Sequence, residues 1–383
     1  MIKTSNCIIC GSTELTGVPA SIAPFLLRRC GLQAAPPGFL RCHCKACDFA
    51  FFNHRLEPAE VMALYRDYRG PEYDRLRSEL EPDWAVQAYA DRGNAYHGTR
   101  IRHLAELMAA WGVAPAAVLD YGGEEDAWLA RGAFPGAQAL GYDISCGSAP
   151  PAPGSADLVL CAHVLEHVSF PVAFLRELIP FLAPGGRLYL EVPCEHLDLA
   201  ATLLEGHPFN RMHEHVAQFS ATALARLARA CGLAPLRLRA FRNPYYKAFA
   251  LLAGPGAADG PALEMDPDMA EPLLAPGLRK VHDQALLWAR AGTRIAVHPA
   301  GAYAMELLAH TALGRAEVVA LSDGDPSVQG RRLMGRPVVA PADLPSLRPD
   351  LVLIASPRFE QEIATDLAWL EGEGIRVAKA SRL

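Results

Sequence analysis

The apolar positions of this chain change period as it runs. Between residues 54 and 110 they recur every three or four residues, in Pro58–Tyr68 (PAEVMALYRDY) and Thr99–Trp111 (TRIRHLAELMAAW), a spacing that lines one face of a helix. A polar, aromatic stretch, YRGPEYDRLRSELEPDW, separates the two. From Ala116 the pattern shortens into nearly continuous apolar runs. Strands are predicted at 116–121 (AAVLDY), 137–143 (AQALGYD), 156–162 (ADLVLCA) and 187–193 (RLYLEVP), with helices near Trp128 and at 171–182 and an APGG turn at 183–186. Short apolar strands alternating with helices predict a parallel, doubly wound sheet. Residues 253–277, rich in Ala, Gly, Pro and Asp, read as an interdomain excursion. A helix over 278–291 then leads to a second α/β unit with strands at 293–298, 317–323, 336–340 and 349–356. The expected organisation is a lobe over 1–60, a first α/β domain with a helical extension over 61–250, a linker and helix over 251–291, and a second α/β domain over 292–383.

Composition narrows the class. A chain of 383 residues with 51% hydrophobic content holds two or three cored domains and is not disordered. Lys and Arg number 36 against 42 Asp and Glu, a net charge of -6 that leaves no footprint for nucleic acid. No apolar run of about eighteen residues is present, so no membrane partner is expected. The start, MIKTSNCIICGS, has no apolar signal core, and a cytoplasmic location is expected.

Cysteines add the first chemistry. Cys7, Cys10, Cys30, Cys42, Cys44 and Cys47 all fall in the first 47 residues, out of 10 in the chain. The pairs Cys7-x-x-Cys10 and Cys44-x-x-Cys47 supply four thiolates, the set that tetrahedral zinc takes. Cys42 leaves a shifted set open. With no position left for water such a site is structural, so catalysis belongs elsewhere.

The strand-to-turn segment Val118-Leu119-Asp120-Tyr121-Gly122-Gly123 has the form of a first βα turn in an open α/β sheet, and Asp143 closes the next strand 21 residues after Gly122. With LVLCAHVLEHV and APGGRLYLEVP behind it, this order resembles the class I S-adenosylmethionine-dependent methyltransferases. The resemblance implies a cofactor held by Asp120, Tyr121, Gly122, Gly123, Asp143, Ile144 and His163. The loop departs from the acid-x-Gly-x-Gly-x-Gly pattern, since Glu124, Glu125 and Asp126 follow Gly123. His163-Val164-Leu165-Glu166-His167 also fits the HxxEH pattern of zinc peptidases, but it directly follows an apolar strand instead of lying within a long helix.

Downstream, PFNRMHEHVAQFS sets His213, Glu214 and His215 in a row between apolar neighbours, a costly arrangement unless used. With the cysteine pairs, the strand ending Glu191-Val192-Pro193 and a second α/β domain, the chain resembles the zinc-containing nucleotide-sugar C-methyltransferases. That resemblance implies a class I Rossmann-like methyltransferase domain, an N-terminal zinc-binding lobe and a C-terminal Rossmann-like domain that helps hold the nucleotide of the substrate. It implies His215 as general base, Glu214 orienting it or polarising the substrate, His167 donating to an enolate oxygen, and His213 in the same catalytic segment. S-adenosylmethionine and structural zinc are the implied cofactors, a nucleotide-linked keto sugar is the implied small-molecule partner, and the protein is expected as a monomer or homodimer. Met212 stands where the family has a tyrosine, and Tyr65, Tyr68 or Tyr73 are candidates for the missing phenol. O- or N-methylation of a related acceptor, or a repurposed fold, stay open. In the second domain only Gly301 remains of a Gly-x-Gly-x-x-Gly turn, so a nicotinamide cofactor is not expected.

Overall fold

The computed structural model describes every residue except 69, 82–85, 124–125, 144–148, 196, 257–259, 270–273 and 275, with the side chains of 86–94 and 276 also outside the description. Two compact units emerge: Met1–Ala200 with Met212–Ala270, and Ala201–Arg211 with Glu271–Leu383.

The first unit is organised by a seven-stranded sheet. Its strands are β4 (Ala117–Tyr121), β5 (Gln138–Tyr142), β6 (Ala156–Ala162), β7 (Leu182–Pro193), β9 (Ala234–Arg242), β10 (Lys247–Gly254) and β11 (Leu263–Met265), in the order β11-β9-β10-β7-β6-β4-β5. Pairs β4–β5, β4–β6 and β6–β7 are parallel, as the alternation predicts, whereas β10 runs antiparallel to both β7 and β9. Parallel neighbours need a crossover of a dozen or more residues. Only four residues separate β9 from β10, and Asn243 Oδ1 caps that turn by accepting the Tyr245 and Tyr246 N–H groups. The segment expected as a linker from 251 therefore begins as the end of a buried strand.

Alternation along β6 sorts the core into two faces. Val159 and Cys161 pack with α6 (Pro171–Leu178) and α7 (Ala221–Ala230), through Leu175, Leu178, Leu224 and Leu227. Leu158 and Leu160 pack with α4 (Val86–Ala110) and α5 (Trp128–Ala133), through Leu104, Leu107, Met108 and Leu129. The polar stretch between the predicted helices is itself largely helical: α2 (Pro58–Tyr65) is followed by α3 (Pro71–Leu80), opened by proline and by Glu72 and Asp74 in its first turn. Its buried face is Tyr73, Leu76 and Arg77, two of them polar, which hides the face from a hydropathy pattern.

The N-terminal lobe adds a four-stranded sheet in the order β8-β3-β2-β1, built from β1 (Leu15–Pro19), β2 (Leu40–Cys44), β3 (Phe49–Phe52) and β8 (Ala217–Phe219). Strand β8 begins two residues after His215 and pairs Ala217 with Phe51 and Phe219 with Phe49.

The second unit has a six-stranded sheet. Its strands β12 (Ile295–His298), β13 (Val318–Ser322), β14 (Arg332–Leu333), β15 (Arg336–Val339), β16 (Leu351–Ile354) and β17 (Arg376–Lys379) lie in the order β14-β15-β13-β12-β16-β17. All but the β14–β15 hairpin are parallel pairs, the Rossmann-like form expected. Residues 201–211, expected in the first domain, join this unit, with the Met334 N–H donating to the Glu205 carbonyl at 2.7 Å. Among the described residues no helix is long and apolar enough to cross a membrane.

Candidate active site

The two CxxC turns meet. The sulfurs of Cys7, Cys10, Cys44 and Cys47 lie within 4.8 Å of one another, with Cys7–Cys47 and Cys10–Cys44 both at 3.6 Å. Zn–S bonds of about 2.3 Å place tetrahedral sulfurs about 3.8 Å apart, so the four thiols fit zinc. Hydrogen bonding from Cys47 pulls the Cys7 thiol down to about 5, while burial pushes Cys44 up to about 11. Cys42, the alternative ligand, instead packs on β2 opposite Gly17, where an added Cβ would sit 3.4 Å from its sulfur.

Strand β4 has β5 on one side and β6 on the other, so the chain's direction of winding switches there and leaves a crevice beyond the strands' carboxyl ends. Gly122 turns the chain at φ +83, and a Cβ on it would lie 2.6 Å from Val164 Cγ2. A Cβ on Gly123 would strike the carboxyl of Asp120 at 2.3 to 2.6 Å. Asp120, 3% exposed, is used inside the protein, where it accepts the Ala130 N–H at 3.1 Å, and burial raises its pKa. The Tyr121 ring packs between Tyr142 and Phe174, so only its backbone faces the turn. Asp143 follows the last residue of β5, and Asp126 is exposed. Ile144, Glu124 and Glu125 lie outside the described residues.

His163 leaves β6 at φ +59 with its ring between two buried carboxylates, Nε2 2.9 Å from Glu191 Oε1 and Nδ1 3.4 Å from Glu166 Oε1. Tyr189 at 2.5 Å and Tyr246 at 3.0 Å donate to the Glu191 carboxylate, and Arg100 lies 3.8 Å away. Burial works against the charge on Glu191, but His163 and Arg100 outweigh it and hold the pKa down to about 2. These partners assign His163 to fastening β6 against β7. The HxxEH segment is a single tight turn, Leu165–His167, not a peptidase helix.

That turn presents His167 to His215. Their rings meet edge to face with centroids 4.9 Å apart. His167 Nδ1 lies 2.8 Å from the Tyr65 hydroxyl and 3.1 Å from the Glu214 carbonyl, and burial lowers its pKa. His215 Nδ1 makes a short hydrogen bond with Glu195. Burial alone would lower the His215 pKa, yet the Glu195 charge outweighs it and lifts the value to about 9. Beneath the pair lies Glu166, 1% exposed, whose carboxylate has no hydrogen bond among the described residues.

Glu214 turns away from the pair. The Tyr73 hydroxyl donates to it and Arg77 stands 3.3 Å off, so its pKa falls despite burial. His213 also stands aside, bonded to Glu81 at 2.8 Å and stacked near Phe25. Of the three tyrosines that could stand in for the one phenol missing at Met212, Tyr65 meets His167 and Tyr73 meets Glu214, while Tyr68 packs edge-on against both rings. Arg55, fully buried, joins the two histidine segments: it donates to the carbonyls of Val168 and Ser169 beyond His167 and of Val216 beyond His215. Glu195 and Arg55 have no signature in the sequence, because each meets its partners only through tertiary structure.

Two family models match the chain: a methyltransferase domain over residues 93–238 and a C-methyltransferase C-terminal domain over 279–378. A ubiquinone biosynthesis O-methyltransferase of Ralstonia nicotianae is 30% identical over 106 residues, 26% of this chain and 44% of that protein. The chain therefore spans less than half the length of that curated relative. Solved structures similar to it include the 1,6-didemethyltoxoflavin-N1-methyltransferase of Burkholderia thailandensis, 17% identical with a TM-score of 0.34 over 58% of this chain and 97% of that one. The magnesium protoporphyrin IX methyltransferase of Synechocystis PCC 6803 is 17% identical with a TM-score of 0.32, over 50% and 97%.

Proposed function

We propose that this chain, a methyltransferase of class I Rossmann-like fold that ends in the C-terminal domain of C-methyltransferases, methylates a carbon next to a ketone on a nucleotide-linked sugar. The observation that carries the reading is the facing pair His167 and His215, each steadied from behind by its own partner. A carbon beside a ketone becomes nucleophilic only when it loses a proton. His215, its Nδ1 held by Glu195, takes that proton at its other nitrogen. With the Tyr65 hydroxyl donating to His167 Nδ1, His167 carries its hydrogen on Nε2 and donates it to the enolate oxygen. Glu214 holds Tyr73 at the edge of the site instead of orienting His215.

S-adenosylmethionine, bound at the crevice by the Gly122–Gly123 turn and Asp143, supplies an electrophilic methyl group. Zinc, held by Cys7, Cys10, Cys44 and Cys47, is structural. The second unit has its own crevice where β12 lies between β13 and β16, with His298 Nδ1 2.9 Å from Ser322 Oγ and Asp323 accepting the Ala300 N–H.

The test is incubation with isotopically methyl-labelled S-adenosylmethionine and a panel of nucleotide-linked keto sugars, with the product read by carbon NMR. The labelled methyl is expected on carbon. A methyl found on oxygen overturns this reading in favour of an O-methyltransferase, the activity named for the Ralstonia relative.

A further inference from the structure

Beside the zinc knuckle, one other group of side chains among the described residues has the make-up of a metal site: Glu166, His167 and His215, which each offer one ligand atom within 4.8 Å of the others. The shells behind them are already built. His215 Nδ1 is taken by Glu195, which leaves its second nitrogen for a ligand. His167 Nδ1 also lies 3.1 Å from the Glu214 carbonyl, so when an ion takes the Nε2 lone pair the hydrogen shifts to Nδ1 and donates to that carbonyl, which removes the tautomer used in the proposed reaction. A carboxylate on one imidazole and a backbone carbonyl on the other are the supports that hold metal-ligating histidines in orientation.

Glu166 supplies the independent observation. Its carboxylate is 1% exposed, neither oxygen has a hydrogen bond among the described residues, and Oε1 stands 3.4 Å from His163 Nδ1 and 3.9 Å from His167 Nε2. His163 and His167 are thus its ion-pair partners, and a buried carboxylate with no hydrogen bond of its own keeps room for a cation between them. Ligand atoms about 2.1 Å from a shared ion sit about 3.3 Å apart, so closing the 3.9 Å gap takes under about 1 Å of side-chain adjustment. Two imidazoles and one carboxylate suit a first-row divalent cation and leave positions open for water or substrate.

We propose that Glu166, His167 and His215 form a second cation site, and that a first-row divalent ion bound there occupies the nitrogens of the proposed proton-transfer pair and so blocks enolisation. The inference uses the same imidazoles as the proposed function, so its test is read without substrate. Full-length protein with zinc in the thiolate site is titrated with Co²⁺ and followed by absorbance. One equivalent of Co²⁺ is expected to bind beside the resident zinc, with the weak visible bands of nitrogen and oxygen ligands and no thiolate charge-transfer band. Glu166→Gln, close in shape, is expected to retain the thiolate-bound zinc and weaken the second site at least tenfold. His215→Asn, at a half-buried position, is expected to weaken it as well. No Co²⁺ bound beside the zinc, or Co²⁺ binding unchanged in both variants, overturns the proposal and leaves the methylation reading intact. Failure of the methylation reading leaves the titration unaffected.

Discussion

For the two facing histidines, the group behind each imidazole sets its chemistry. His215 is held protonated up to about 9 by Glu195, so the neutral base grows about tenfold per pH unit from 7 to 9. The free-enzyme kcat/KM is predicted to climb over that range and level above it. In Glu195→Gln the burial that lowers the pKa is opposed only by the smaller effects of Glu166 and Glu214, so the acid limb should move down by at least about one unit while the plateau falls about tenfold or more. An unmoved limb, measured from pH 6 to 10, would separate Glu195 from His215. At Gly122 the left-handed backbone and the 2.6 Å approach to Val164 both exclude a side chain. Gly122→Ala should cost about 1–2 kcal/mol of stability in urea unfolding and weaken S-adenosylhomocysteine binding by calorimetry. This glycine was legible in the sequence as part of a strand-turn motif, as were both histidines. Tyr65 was one of three tyrosines the sequence offered, but Glu195 was not legible, since it precedes His215 by twenty residues and no spacing rule joins them.

Among the elements, the strands most fully legible were those buried on both faces. ADLVLCA is β6 from its first residue to its last, because a continuous apolar run flanked by turns has little other use in a parallel sheet. Helix α3 was missed for the opposite reason, its buried face carrying Arg77 and Tyr73. KAFALLAG, now β10, is an apolar run that periodicity alone does not separate from a buried helix. The pairing of β8 with the cysteine-bearing lobe lay beyond any local pattern, and it is this pairing, with Arg55, that fixes where the His213–His215 segment runs. Arg55→Met would strand three buried carbonyls, at about 1–3 kcal/mol each. A loss of at least about 3 kcal/mol by denaturant titration is expected, with turnover falling further than the unfolded fraction explains. An effect under about 1 kcal/mol would mean that the clamp is not needed.

Over the whole molecule, the alternation of strands and helices made two α/β units readable from the sequence, and the cysteine spacing made the knuckle readable too. The excursion of 201–211 into the second unit was not, since those residues carry no periodicity of their own. The knuckle sits on the same sheet as β8: Cys44 pairs with Phe49, and Phe49 with Phe219. Zinc removal by chelation should therefore loosen the ground under His215. One zinc per chain is expected by metal analysis, and its removal should cost at least about 3 kcal/mol, or about 6–12 °C in Tm. An unchanged Tm would show the lobe to be stable without metal.

The central claim is that the facing histidines make a carbon nucleophilic, and proton exchange reads that step alone. A nucleotide-linked keto sugar accepted by the enzyme, incubated with it in deuterated water and S-adenosylhomocysteine, should gain deuterium beside its ketone, and His215→Ala should slow the gain about 10²–10⁴-fold. Methyl transfer that proceeds normally while no deuterium enters, or an exchange rate untouched by loss of His215, would contradict the account.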